Sequence, residues 1–291
     1  MGPASRSAGR MYRFDSRLTF FLLPCTIGGM KPIHRMPAST ARSIRWVLTD
    51  IDDTMTKDGK LESCAYTALC DLASSGLPVI AVTGRSSGWG EVHLQEWPIV
   101  GAVTENGAIA WHSRGSIVAP DSVPNTDSSL VRAAEAAYRA VPRAKPASDN
   151  NLRRYDYAID HAERIDPPLT GPEISAIIAA FEAEGCVAKP SSIHINCWKG
   201  SCDKQKASVH FLSEVFGYAD ATDRDKVLYI GDALNDEPMF AHFPNACAVA
   251  NVSRWLDHMT SRPAWIAEKL YGQGFAEIAQ IVLAHRSAEC L

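Results

Sequence analysis

Three aspartates stand within four positions of "RWVLTDIDDTMTKDG" (45–59): Asp50, Asp52 and Asp53, placed directly after a short apolar run. Asp50 and Asp52 are two residues apart, so an extended backbone sets them on the same side, about 6 to 7 Å apart along the chain. Two carboxylates aimed into one crevice repel each other unless a cation sits between them, and hard oxygen donors suit Mg²⁺. On its own such a stretch is more often a helix N-cap or a solvated turn. Other groups accompany it. "VTGR" (82–85) brings the hydroxyl of Thr83 to the end of an apolar run, Lys204 opens a helical pattern, and "GDALND" (231–236) supplies Asp232, Asn235 and Asp236.

The elements that must position these groups are legible as periodicity. "IRWVLTD", "PVIAVTG", "IVGAVTENG", "SIHINCW", "KVLYIGD" and "NACAVAN" read as buried strands, while "ESCAYTALCDLASSG", "DKQKASVHFLSEVFG", "NDEPMFAHF" and "FAEIAQIVLAHRS" carry helical patterns. Strand and helix in alternation predict an α/β chain with a doubly wound parallel sheet covered on both faces. Ligands bind at the carboxyl ends of such strands, which is where the acidic pair, the threonine and the second acidic pair fall.

The whole chain sets bounds on function. Its 291 residues are 46% hydrophobic and 21% charged, enough for one large domain or two modest ones. A net charge of -4 does not supply the basic field that broad nucleic-acid binding needs. Eight cysteines show no C-x-x-C pair, which reads as reduced thiols in a cytoplasmic protein. His194, Cys197, Cys202 and His210 cluster in sequence, but their spacing fits no zinc module. Residues 1–43 are basic and include "LTFFLLPCTIGG", too short and too broken to span a bilayer. A signal peptide and an organellar transit segment are alternatives, but we read the segment as a disordered extension, with the folded pattern starting at Ile44. No other long apolar stretch occurs, so the chain is not expected to be integral to a membrane.

The motifs "DIDDT", "VTGR", the lysine of "DKQKA" and "GDALND", in this order, resemble the four motifs of the haloacid dehalogenase-like (HAD) phosphatase superfamily. "ENGA" (105–108) and "AVAN" (248–251) extend the resemblance over nearly the whole chain from residue 44. The long segment between the second and third motifs resembles the cap of the subgroup that holds the Cof-type, sucrose-phosphate, trehalose-phosphate and mannosyl-phosphoglycerate phosphatases. The implied organisation is a Rossmann-like core over 44–111 and 191–291, with an inserted α+β cap over 112–190.

The resemblance implies a role for each residue. Asp50 would be the nucleophile and form an aspartyl-phosphate, and Asp52 the general acid and base. Mg²⁺ would be held by Asp50, the backbone carbonyl of Asp52 and Asp232, with Asp236 in its outer shell or orienting Lys204. Thr83 and Lys204 would hold phosphoryl oxygens, with Gly84, Arg85 and Asn235 beside them. Asp53 receives no role. Gln205 stands where a glycine usually follows the lysine, which leaves Lys199 and Lys206 as alternatives to Lys204. Glu105 and Asn106 at the hinge, and Arg153 and Arg154 in the cap, are candidates for the substrate's far end, as are Lys189, Ser191, Ser192 and His194.

The expected substrate is a small phosphorylated metabolite, best a sugar phosphate, turned over by a monomer or homodimer. A sugar phosphomutase and a non-catalytic ligand-binding relative are the alternatives. A phosphoacceptor receiver domain places its acceptor after the third strand, unlike this chain, and neither a P-loop nor a G-x-G-x-x-G fingerprint occurs.

Overall fold

A computed structural model of the chain describes residues 29–119, 121–191 and 193–287. The first part runs β1 (Lys31–Pro32), α1 (Ala38–Ser43), β2 (Trp46–Thr49), a hairpin of β3 (Thr56–Lys57) and β4 (Lys60–Leu61), α2 (Ser63–Ser74), β5 (Val79–Val82), α3 (Ser87–Glu96), β6 (Gly101–Thr104), β7 (Ile109–His112) and β8 (Gly115–Val118). A middle part follows as α4 (Ser128–Ala140), β9 (Lys145–Pro146), β10 (Asp156–Asp160), α5 (Gly171–Ala183), β11 (Val187–Pro190) and β12 (His194–Trp198). The chain then returns through α6 (Lys204–Phe216), α7 (Asp220–Asp223), β13 (Val227–Gly231), α8 (Glu237–His242), β14 (Asn245–Ala248), β15 (Trp265–Ile266) and α9 (Tyr271–Ser287).

Nine strands form one sheet in the order β1-β15-β14-β13-β2-β5-β6-β7-β8. Pairing is parallel from β1 to β6 and antiparallel for β6-β7-β8. Every residue of β2, β5, β6, β13 and β14 is buried, as strands covered on both faces require. Side chains alternate between two layers: Val47, Val79, Ala81 and Ile230 pack with Leu69, Leu72 and Phe275 of α2 and α9, and Leu48, Ile80, Val82 and Tyr229 pack with Phe211, Leu212 and Met239 of α6 and α8.

The cap is a four-stranded sheet, β11-β12-β10-β9, antiparallel throughout. Ile159, Ile195 and Cys197 point to one side, where Leu130, Ala133, Ile177 and Phe181 of α4 and α5 cover them. The alternate residues of β10 and β12, among them Asp156, His194 and Asn196, therefore face the other way, toward the core. A capping box of Thr170 and Glu173 starts α5. The Asp203 side chain accepts from the Lys206 amide to start α6, and Gly217, in the left-handed region at φ 68°, ends it.

Two boundaries differ from the sequence reading. The fold begins before Ile44: β1 completes the sheet edge beside β15, and Met30 and Ile33 are fully buried. Their apolar residues are too few and too irregular to show a period. Of the expected extension, 1–28 lies outside the described residues. The cap limits also shift, because β7 and β8 extend the core sheet past residue 111, while "SIHINCW", read as a core strand, forms β12 at the centre of the cap sheet. Among the described residues no helix is long and apolar enough to cross a membrane.

Candidate active site

Asp50 leaves the carboxyl end of β2 with its amide still on the Ile230 carbonyl (2.8 Å), which ties it to the neighbouring strand β13. Asp232 follows the end of β13 directly, its amide donating to Asp236 Oδ2. Lys204 occupies the first position of α6, and its side chain, 3% exposed, reaches back to the strand ends. Its Nζ donates to Asp50 Oδ1 at 2.7 Å and to Asp236 Oδ1 at 2.8 Å. Neither alternative lysine enters the site. Lys199 donates to Ser129 (2.9 Å), and Lys206 to the Ser201 carbonyl (3.0 Å).

Carboxylate oxygens of Asp50, Asp232 and Asp236 lie within 4.8 Å of one another, all three residues buried. Burial pushes the Asp50 carboxyl up to about 8; Lys204 opposes the rise, and Asp236 and Asp52 add to it. Asp232 is raised well above the usual carboxylate range by burial and then by Asp236 and Asp50. Lys204 is desolvated as well, yet its two carboxylate partners outweigh this and raise its pKa. Lys204, with the half-exposed Arg254 against Asp232, does not balance three buried carboxylates, and a hard divalent cation fits this oxygen-rich set. Asp50 and Asp232 are the side chains that could hold such an ion.

Asp236, expected near the metal, is saturated by other donors. Its Oδ1 accepts from Lys204 and from the Tyr229 hydroxyl (2.6 Å), and its Oδ2 from the amides of Asp232 (2.9 Å) and Ala233 (3.1 Å). It orients Lys204 and shapes the turn after β13, with no lone pair left for direct ligation. Asp232 in turn accepts from Asn251 (2.9 Å), Arg254 (3.1 Å) and Thr54 (3.3 Å). Sequence reasoning assigned no role to Thr54, Tyr229, Asn251 or Arg254. Asn251 ends the quoted "AVAN", but nothing in the spacing announced Arg254, which also pairs with Asp53 (2.8 Å).

Asp52 points into the cleft with its carboxylate in the fork of Arg85: Nε lies 3.1 Å from both oxygens and NH2 2.5 Å from Oδ1. Burial would raise this carboxyl, but the guanidinium more than offsets it and holds the group below its ordinary value. Thr83 is buried at the end of β5, and its hydroxyl accepts from the Arg85 amide (3.1 Å). Gly84 lets Asn196 and Asn106 approach closely: a Cβ there would meet Asn196 Nδ2 at 2.8 Å and Asn106 Oδ1 at 3.2 Å, so both amides would have to shift. Asp50, Asp52, Gly84, Arg85, Asp232 and Asn235 border a cleft of about 310 Å³ that Thr83 does not line, and its far wall is cap: Ser148, Asp149, Glu163, Ser191, His194 and Asn196.

The two arginines read as forks for substrate are engaged elsewhere. Arg153 has no exposed side-chain surface and donates to both oxygens of Asp156 (2.8 and 2.9 Å), to Asp149 (3.1 and 3.2 Å) and to the Gly84 carbonyl (3.0 Å). A buried guanidinium must be paired, and cap and core partners use up its donors. Arg154 lies on the surface over Trp111, 4.9 Å from the ring centroid. Glu105 also has a positioning role. It is fully buried and accepts from the amides of Ser87 (2.8 Å), Arg154 (3.0 Å), Tyr155 (2.7 Å) and Asp156 (3.1 Å). Asn106 sits beside Gly84, and its buried Nδ2 has no partner among the described residues. Lys189 is exposed on β11, and Ser192 lies outside the described residues.

No protein-family model matches the chain, and no curated protein matches it. Solved structures do. The Thermoplasma acidophilum protein 0175 superposes with a TM-score of 0.66 at 23% identity, covering 83% of this chain and 98% of its own. The sucrose-phosphatase of Synechocystis sp. PCC6803, solved with sucrose and phosphate, gives 0.58 at 15% identity, over 84% of this chain and 98% of its own. The HAD subclass IIB sugar phosphatase BT4131 gives 0.57 at 15% identity with the same two coverages. Likeness at this level establishes architecture: the chain has the fold of the HAD superfamily, core and inserted cap together, as found in its Cof-like and sugar-phosphatase structures.

Proposed function

We propose that the protein is a Mg²⁺-dependent phosphomonoester hydrolase acting on a small sugar phosphate through an aspartyl-phosphate at Asp50. The observation that carries this reading is the placement of Asp50 at a strand end, its carboxylate 2.7 Å from a buried lysine and beside Asp232, in a cleft that Asp52 shares. When bound, the cation neutralises charge between nucleophile and phosphate. Asp50 Oδ attacks phosphorus as the bond to the leaving oxygen breaks, and Asp52 gives that oxygen a proton. Phosphoryl oxygens compete with Asp52 for Arg85, and the carboxylate so released takes up from solvent the proton it then gives to the leaving oxygen. Asp52 then takes a proton from water as the water attacks the aspartyl-phosphate, returning Asp50 and releasing phosphate.

Orthophosphate release from p-nitrophenyl phosphate tests the reading. Release is expected with Mg²⁺, and none with a chelator or in Asp50→Asn, whose amide cannot attack. Full activity in that variant would sink the mechanism. Transfer of the phosphoryl group between positions of a sugar, without orthophosphate release, would mark a mutase.

A further inference from the structure

We propose that the cap strand β12 reads the leaving group through Asn196 and the His194–Glu163 pair, and that it accepts a leaving group rich in hydroxyls with no second anion. This deepens the phosphatase reading and rests on it. Strand alternation sends Ile195 and Cys197 into the cap core, so His194 and Asn196 emerge on the face that roofs the cleft. His194 Nε2 is 3.1 Å from Glu163 Oε2, a contact that fixes the ring where it borders the cleft. Asn196 is 3% exposed, and its Oδ1 has no hydrogen-bond partner among the described residues. Its amide nitrogen stands directly over Gly84, close enough that a methyl group there would collide with it.

An amide held in a buried position without its full set of bonds favours a ligand that supplies them. The charges facing the same space choose which ligand. Glu163 and Asp149 line the cap wall, with Asp52 across from them; one guanidinium, Arg153, is shared between Asp149 and Asp156, and Arg85 is taken by Asp52, so neither has a donor to spare for a further anion. Lys60 and Arg164 also border the cleft but are exposed, and the Arg164 side chain, 70% exposed and 3.9 Å from Glu163, is screened by water. A carboxylate or second phosphate laid against β12 brings acceptors to Glu163 and Asp149 and no proton to Asn196 Oδ1. A hydroxyl donates to either acceptor and can accept from the amide nitrogen or the imidazole.

The test compares kcat/KM for glucose 6-phosphate, 3-phosphoglycerate and p-nitrophenyl phosphate in the Mg²⁺-loaded wild type and in Asn196→Leu and Glu163→Gln. Wild type is expected to prefer the sugar phosphate to the carboxylate ester. In Asn196→Leu the ratio of glucose 6-phosphate to p-nitrophenyl phosphate should fall about tenfold, the worth of one well-made hydrogen bond. Glu163→Gln should raise 3-phosphoglycerate relative to glucose 6-phosphate, which a purely structural glutamate would not do. A wild-type preference for 3-phosphoglycerate, or unchanged ratios in both variants, overturns the assignment. If Asn196→Leu shows no cooperative melt, Glu163→Gln decides by itself. Absence of wild-type p-nitrophenyl phosphate hydrolysis would instead remove the phosphatase reading, and this proposal with it.

Discussion

Lys204 Nζ bridges Asp50 and Asp236 at 2.7 and 2.8 Å, and Asp236 is itself pinned by Tyr229 and two backbone amides. The ammonium is thus held from behind and offered to the Asp50 carboxylate in front. Lys204→Met should lower kcat for p-nitrophenyl phosphate by about 10² to 10³, the usual loss when a preorganised donor to developing charge is removed. Steady-state rates at saturating substrate check this. A drop below tenfold would place the ammonium outside the reaction.

Asp52→Asn should separate the two halves of the reaction. Nitrophenol departs without much help from an acid, so attack by Asp50 persists, while water attack lacks its base. Loss of a general base costs about 10² to 10⁴ in rate, enough to make breakdown limiting. A burst of nitrophenol, a slow steady state and an intact-mass gain of one phosphoryl group are expected. Wild-type turnover would exclude Asp52 as the base.

The adjacent arginines should behave in opposite ways. Arg153→Met leaves Asp149 and Asp156 buried without their cation, a loss of about 3 to 5 kcal/mol by the usual cost of breaking a buried pair. Arg154→Ala removes a half-exposed side chain that contacts Trp111 and Glu91, worth less than about 1 kcal/mol. Urea unfolding of both variants tests the contrast. Similar midpoints would contradict the burial of Arg153.

His93 supplies a pH dependence. It is buried in a stack between Trp89 and Trp97, and neither ring nitrogen has a partner among the described residues. Burial, helped by the Arg85 charge, lowers its pKa from 6.5 to about 4. The unfolded chain therefore binds a proton near 6.5 that the folded chain refuses, so the contribution of His93 is intact above 6.5 and is lost as pH falls toward 4. The loss reaches up to ~3 kcal/mol over that window. His93→Phe keeps the stack and should flatten this part of a melting-temperature profile. An unchanged profile would assign the acid limb to other groups.

Much of this was legible in residue order. Strands buried on both faces write themselves as unbroken apolar runs, and groups at their carboxyl ends converge by topology, so Asp50, Thr83 and Asp232 could be placed from the sequence. Lys204 opens an amphipathic helix, but Lys199 and Lys206 remained alternatives in the sequence, and only its contacts with Asp50 and Asp236 single it out. The cap was harder, because an inserted antiparallel sheet brings together strands whose partners lie far apart in sequence. "SIHINCW" has the same pattern in either domain, and only its pairing with β10 and β11 assigns it. Arg153 was misjudged for a related reason. A charged residue in a polar stretch reads as surface until the carboxylates four residues before and three after it close around it.

The single carboxylate of Glu105 also limits how this protein can change by exchange of parts. It holds one amide at the start of α3 and three consecutive amides of the cap, next to a guanidinium that ties the same cap segment to Gly84. A cap transplanted from another scaffold would have to present three amides to the Glu105 that stays behind, and without Arg153 the recipient loop would lose the tether on its glycine carbonyl. Residues 83–107 and 149–156, though separated in sequence, are bonded as one unit, and a recombination that divides them disturbs the turn at Gly84 even when every residue lining the cleft is retained.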